Sequence, residues 1–503
     1  MTDPFGLGLR NRRAVPLAAV PAEPTDHFLT SVTESLARGG RLLSLFGLTH
    51  GADRTRLIAL VADDSAGALG ATSTIVAGAY PALTPHCPQA ERFEREIWEQ
   101  CGVLPEGHPT LKPVRRHPPD HAHGAGATGP MDREAYPFDR IDGDEVHEVA
   151  VGPVHAGIIE PGHFRFQAHG ERVLGMEIVL GYQHRGVERL LESADSTRAV
   201  LVAESIAGDT VVGHADAYCG ALEAVARCRK SPRAQTIRGI ALELERLANH
   251  LGDLGAIAGD IAFQPGAAYF GRLRGECLNL LMTISGNRYG RGLLRVGGVR
   301  FDLTATLIDE LRDRLGGLAD AVAPVARMMF SDASVQARLE GIGSVPSSLA
   351  ARLGFVGLVA RASDIPLDVR HDHPWGVFRF AHIPIATAWA GDVYARAHVR
   401  WLEAQRSLEF LEEQLGTLPK GPTMVPAGGA LPDELAVAMV EGWRGEIVHV
   451  VITDHEGRVR RHKVTDPSFR NWPALAAAMP GNEISDFPLC NKSFNLSYAG
   501  HDL

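Results

Sequence analysis

Along the chain the apolar positions change period several times. Two short alternating runs, His163-Phe164-Arg165-Phe166-Gln167 and Val173-Leu174-Gly175-Met176-Glu177-Ile178-Val179, predict a pair of strands with Ala168-His169-Gly170-Glu171 as the hairpin turn. The loop before them, 154–162, then lies at a strand end, where polar groups can be aimed at a site. Upstream, 28–36 has helical spacing, 41–46 and 57–61 read as strands, and 90–100 reads as a charged helix. Downstream, 187–207, 211–230 and 234–261 predict helices. The longest carries an apolar stripe of Leu242, Leu244, Leu247, Leu251, Leu254 and Ile257. Further helices are predicted at 301–330 and at 390–415, where Asp392 suits a helix start. Residues 445–454 and 458–464 predict a β-hairpin turning at His455-Glu456-Gly457, leading into the segment 468–478 and a tail over 483–503. The expected fold class is α+β: a small N-terminal α/β sandwich followed by a mainly helical domain with small antiparallel sheets.

Punctuation residues set the expected boundaries. Residues 1–25, with Arg10, Arg12, Arg13, Pro16, Pro21 and Pro24, read as a flexible leader, and 26–116 as the small domain. The Pro-, Gly-, Ala- and His-rich stretch 117–140 reads as a linker with incidental histidines, and 141–503 as the large domain.

Composition narrows the function. Of 503 residues, 45% are hydrophobic and 22% charged, which suits a globular chain with a sizeable core. The net charge of -10 argues against a nucleic-acid partner. The six cysteines, Cys87, Cys101, Cys219, Cys228, Cys277 and Cys490, form no CxxC pair, so neither a disulfide framework nor a thiolate metal site is expected. Reduced thiols fit a cytoplasmic location, and since no apolar run reaches the roughly 18–20 residues that span a bilayer and no signal pattern opens the chain, any membrane contact is expected to go through partner subunits. Glycine-rich pieces such as Gly290-Arg291-Gly292 lack the strand-to-helix setting of a dinucleotide site.

Three spaced blocks carry a resemblance: Gly152-Pro153-Val154-His155, Glu160-Pro161-Gly162-His163-Phe164-Arg165, and Gly181-Tyr182-Gln183-His184-Arg185-Gly186-Val187-Glu188. They resemble the opening of the large subunit of hydrogenase-4 and formate hydrogenlyase-type nickel–iron hydrogenases and of its counterpart in respiratory complex I, an NADH-quinone oxidoreductase. Upstream, Phe93-Glu94-Arg95-Glu96-Ile97-Trp98-Glu99-Gln100-Cys101-Gly102-Val103 with Glu106-Gly107-His108-Pro109 resembles the small accessory subunit of complex I, implying a fusion of the two. The run from Glu243 to Gly255 resembles the family's long core helix. Its Glu243, Glu245 and His250 admit a proton path or a structural ion-pair network.

The resemblance also locates what is missing. Hydrogenases hold nickel and iron with two CxxC pairs, because soft thiolates bind such metals strongly. The early pair aligns with Ala207 and Thr210, the late pair with Ser497 and Gly500, so nickel–iron is not expected. What the resemblance retains is the surrounding shell. Glu160 matches the proton-passing glutamate of hydrogenases, though it can equally be a structural cap. Asp209 and His214 flank the lost ligands, and His155 and His163 border the opening loop. Complex I grips a quinone here with a histidine and a tyrosine, but the tyrosine's position falls near Val202. The resemblance therefore implies an oxidoreductase subunit with no cofactor of its own and quinone as a candidate acceptor. NAD and iron–sulfur clusters would belong to partners: an iron–sulfur small subunit, a ferredoxin-like subunit and antiporter-like membrane subunits. Placement would be peripheral on the inner face of the cell membrane. The alternative is a non-catalytic coupling scaffold.

Overall fold

A computed structural model describes residues 7–51, 53–115, 136–157, 159–193 and 196–503. The architecture is α+β, as the hydrophobic pattern predicts. Near the N-terminus, Arg41–His50, Arg54–Asp63 and Ala68–Val76 form an antiparallel sheet in sequential order. One face, with Leu42, Leu45, Leu57, Ala59 and Val61, packs under the helices Thr25–Ala37 and Glu91–Cys101 through Phe28, Val32, Phe93 and Ile97. The opposite face, with Leu43, Phe46, Ile58 and Leu60, belongs to the main core shared with the helical part. Burial on both faces leaves little polar alternation, and the third strand escapes a search for alternation.

The helical part is built on Pro232–Asp260, which Ser231 caps by accepting from the Ala234 N–H and Pro232 opens. It packs against Gln264–Ser285 and Val393–Gly416. Gln264–Ser285 has no counterpart in the pattern reading, because Pro265, Gly266, Gly271 and Gly275 interrupt its period. The expected single helix over 187–207 is replaced by Val187–Ser193 and Ser196–Ala203, after which the chain turns through 204–210.

The leader corrects an expectation. Residues 7–25 are not a loose tail: Ala14–Pro16 forms the edge strand of a four-stranded sheet, pairing with Glu434–Gly442, which is followed by Gly445–Thr453 and Val459–Thr465. Leu9, Val15, Leu17 and Val20 are buried. Arg12 reaches Asp216 at 2.6 Å, and the Asn11 side chain donates to the Met439 carbonyl at 3.1 Å. Arginines and prolines suggested solvent, but an arginine with a buried acid partner and a proline on a sheet edge both suit an ordered strand. Positions 117–135 of the expected linker lie outside the described residues. The C-terminal hairpin turns at 454–458 as expected, and every residue of Glu434–Gly442 and Gly445–Thr453 is buried.

Candidate functional site

Two distant segments meet behind the first hairpin, His163–His169 and Arg172–Val179. Asp502 anchors the tail by accepting from the Gly181 and Gln183 N–H groups, both at 2.8 Å. Arg185 then joins the segments, donating to the Ile206 carbonyl at 3.0 Å and the Ala499 carbonyl at 3.4 Å. The carbonyl groups next to Ala207 in one segment and next to Gly500 in the other are thus held by one guanidinium. Ala207, Thr210 and Ser497 are buried. Thr210 closes its turn by donating its N–H to the Ala207 carbonyl at 3.1 Å, and Ser497 accepts from the Gly500 N–H at 2.8 Å.

The space between the segments is taken by side chains. Arg444 donates to both carboxylate oxygens of Asp209, to the Thr210 hydroxyl at 3.2 Å and to the Asn495 carbonyl, with its charge 3.9 Å over the Trp443 ring. The Trp443 indole N–H donates to the Thr210 hydroxyl at 3.1 Å. Such a planar cation suits a two-oxygen partner and an aromatic face at once.

The five sequence-predicted site residues divide. Glu160, Asp209 and His214 converge on this cradle. Glu160 accepts from the Tyr498 N–H at 3.2 Å. Burial raises its carboxyl above the usual range, with Arg444 pulling it down and Asp209 pushing it up. His214 stands behind the cradle, its Nε2 at 2.9 Å from Asp466, whose carboxylate packs against Gly500. His155 and His163 instead brace the opening loop, on the Gly162 carbonyl at 2.9 Å and the Gly152 carbonyl at 3.2 Å.

Of the core-helix residues, Glu243 accepts from Arg246, Arg370 and Ser407, and His250 meets Glu403 at 2.8 Å, so both lie in a buried ion-pair network. Glu245 accepts from the Val212 and Gly213 N–H groups at the start of Val211–Val225. Residues that sequence reading missed are Arg185, Trp443, Arg444 and Asp466. Arg185 lies inside a quoted block, while Arg444 follows Gly442-Trp443 in a stretch without periodicity.

Known proteins share this sequence over most of its length. The chain is 30% identical to formate hydrogenlyase subunit 5 of Escherichia coli (strain K12) over 438 residues, covering 84% of this chain and 77% of the relative. It belongs to the formate hydrogenlyase and complex I large-subunit family. Residues 260–429 and 423–502 of this family member match the respiratory-chain NADH dehydrogenase 49 kDa subunit. Residues 69–135 match the 30 kDa subunit, so the two modules are fused in one chain. Other members of the family are hydrogenase-4 component G of the same organism, 30% identical over 84% of this chain and 76% of the relative, and an NADH-quinone oxidoreductase subunit of Clostridium beijerinckii, 29% identical over 69% and 95%. The family is one of oxidoreductase complexes associated with membranes. Among the described residues no helix is long and apolar enough to cross a membrane.

Proposed function

We propose that this chain is a nickel-free large subunit whose cradle couples electron arrival in a partner to proton uptake. The observation that carries the reading is Arg444, a buried cation clamped by Asp209 and Thr210 where the family's metal would lie. The donor set does not fit a nickel–iron centre. It offers a methyl group, two hydroxyls already hydrogen-bonded and a glycine. A Cβ added at Gly500 would meet Asp466 at 2.7 Å, and a guanidinium repels a metal cation. Of the six free cysteines, Cys490 packs against Arg396, and none stands at the four ligand positions.

Electrons would arrive at an iron–sulfur partner subunit, since this chain has no cluster-binding cysteine pattern. Negative charge there favours protonation of Glu160, whose carboxyl burial already holds above its ordinary value. Asp209 and Arg444 set the local field. NADH, or another donor, would be oxidised elsewhere in the assembly.

The test is the potential of the nearest iron–sulfur cluster in the assembled complex. Where one proton follows one electron, that potential falls by about 59 mV per pH unit. A slope approaching that value, lost in Glu160→Gln, supports coupling; a pH-independent potential, or a slope that survives the substitution, overturns it.

A second reading keeps an acceptor such as a quinone at the mouth of the cradle. The exposed Val154 and half-buried His155 and Glu160 favour it. Saturable binding of a quinone analogue to the assembled complex, abolished by His163→Ala, would establish it, and no binding supports coupling alone.

A further inference from the structure

Behind the cradle runs a line of buried imidazoles. His214 Nε2 lies 2.9 Å from Asp466 Oδ2, His214 Nδ1 lies 3.2 Å from His449 Nε2, and His449 Nδ1 lies 2.9 Å from His462 Nε2. All three rings are fully buried, and His462 stacks on Tyr218 at 5.5 Å. They come from three elements: Val211–Val225, Gly445–Thr453 and Val459–Thr465.

Hydrogen-bond accounting fixes the tautomers. Asp466 accepts as a carboxylate, so with all three rings neutral His214 must donate from Nε2 and accept at Nδ1. His449 must then donate from Nε2 and accept at Nδ1, and His462 must donate from Nε2. One acceptor is left over: His462 Nδ1 is buried and has no hydrogen-bond partner among the described residues. A buried acceptor without a partner is uncommon and invites a function. Glu188 acts on the His462 ring through its charge, and part-exposed Glu192 accepts the backbone N–H of the same residue at 3.1 Å. At the His214 end of the line, Asp466 touches Gly500, one of the four cradle positions.

We propose that His462, His449, His214 and Asp466 form a proton-loading relay between the acidic group at Glu188 and Glu192 and the back wall of the cradle. A proton binds His462 Nδ1, forming an N–H bond there. The Nε2 proton of His462 moves to His449 Nδ1, and that of His449 moves to His214 Nδ1. The result is an imidazolium at His214 facing the Asp466 carboxylate, three rings with one added proton and no bond left broken. The reverse hops unload it. Negative charge arriving on the cradle side draws the proton in; without it the line rests neutral. In support, burial, with the neighbouring rings, holds His449 well below the ordinary histidine value, and burial takes His462 down to about 3. The charged groups facing His462 are Glu188, which favours its protonation, and Arg461, which opposes it. Arg444 acts on Asp466 from the cradle side.

The relay deepens the coupling reading, but its test stands apart from cluster potentials. In the full chain labelled with nitrogen-15 at histidine, two-bond spectra at about pH 7 should show His214, His449 and His462 as neutral, Nε2-protonated rings. A downward pH jump should place the first imidazolium at His214, and His462→Phe should slow its appearance by roughly tenfold or more. His371→Gln, at an exposed histidine outside the line, should not. Mixed tautomers in the wild type, charge appearing first on His449 or His462, or an unchanged rate in His462→Phe overturns the relay. The wild-type spectra decide even if that variant fails to fold.

Discussion

Arg444 donates to both carboxylate oxygens of Asp209, Nη1 to Oδ1 at 2.5 Å and Nη2 to Oδ2 at 2.9 Å. The partners differ in environment: the Arg444 side chain is 5% exposed and that of Asp209 32%. Removing Asp209 strands a buried cation, whereas removing Arg444 strands a carboxylate that still reaches water. Asp209→Ala should therefore cost about 3 kcal/mol and Arg444→Met about 1–2 kcal/mol in urea unfolding. The reverse order would mean that the pair is not what holds the guanidinium in place.

The N-terminal segment offers a second test. Arg12 lies against Asp216, which keeps Arg238 and the Trp375 indole N–H as partners when Arg12 is lost. Arg12→Ala should cost about 2 kcal/mol, below the usual loss for a broken buried pair. The exposed neighbour Arg13→Ala should stay within about 0.5 kcal/mol. Equal, small effects at both positions would return the segment to a solvated leader.

Glu160 gives a pH dependence with a definite sign. Burial raises its folded value above that of the unfolded chain, so the fold favours the protonated acid. Its stabilising contribution is complete below the unfolded value of about 4.3 and is lost as pH rises through the folded value. Glu160→Gln is always neutral. Its melting temperature should match the wild type near about pH 4 and exceed it at about pH 8. A variant less stable at the higher pH would show that the charged form is the one the fold favours.

Glu245 caps a helix from outside it, accepting from Val212 N at 2.7 Å and Gly213 N at 3.1 Å. Glu245→Ala leaves two buried donors unpaired and should cost about 2–4 kcal/mol, while Glu245→Gln, which keeps an acceptor, should cost about 1 kcal/mol. Thermal unfolding of the two variants distinguishes a cap from a side chain that merely fills space.

Local pattern revealed elements whose burial is one-sided. The hairpin at 163–179 carries its period in its own residues; the long helix from 232, buried on every side from Ile237 to Leu251, was reached by its leucine spacing, and the turn at 454–458 by its Gly457. The strand Glu434–Gly442 and the sheet edge at Ala14–Pro16 carry no such mark. Both faces of the first are buried, and the second is fixed by partners more than four hundred residues away in sequence. The cradle was legible in part for the same reason. Ala207, Thr210, Ser497 and Gly500 could be placed by motif spacing, and Glu160, Asp209 and His214 by nearness to those motifs. Arg444 could not, because its role depends on a loop between two buried strands that brings it to Asp209. His155 and His163 were reached by the same nearness to Glu160, and their rings meet the Gly162 and Gly152 carbonyl groups.

Nickel content of the assembled complex, purified from cells grown with nickel and read by plasma mass spectrometry, tests the nickel-free cradle most directly. With Arg444 clamped between Asp209 and Thr210 and no sulfur at the four ligand positions, the expected result is nickel at the level of the buffer blank. One nickel per chain, lost on Asp209→Ala, would contradict it.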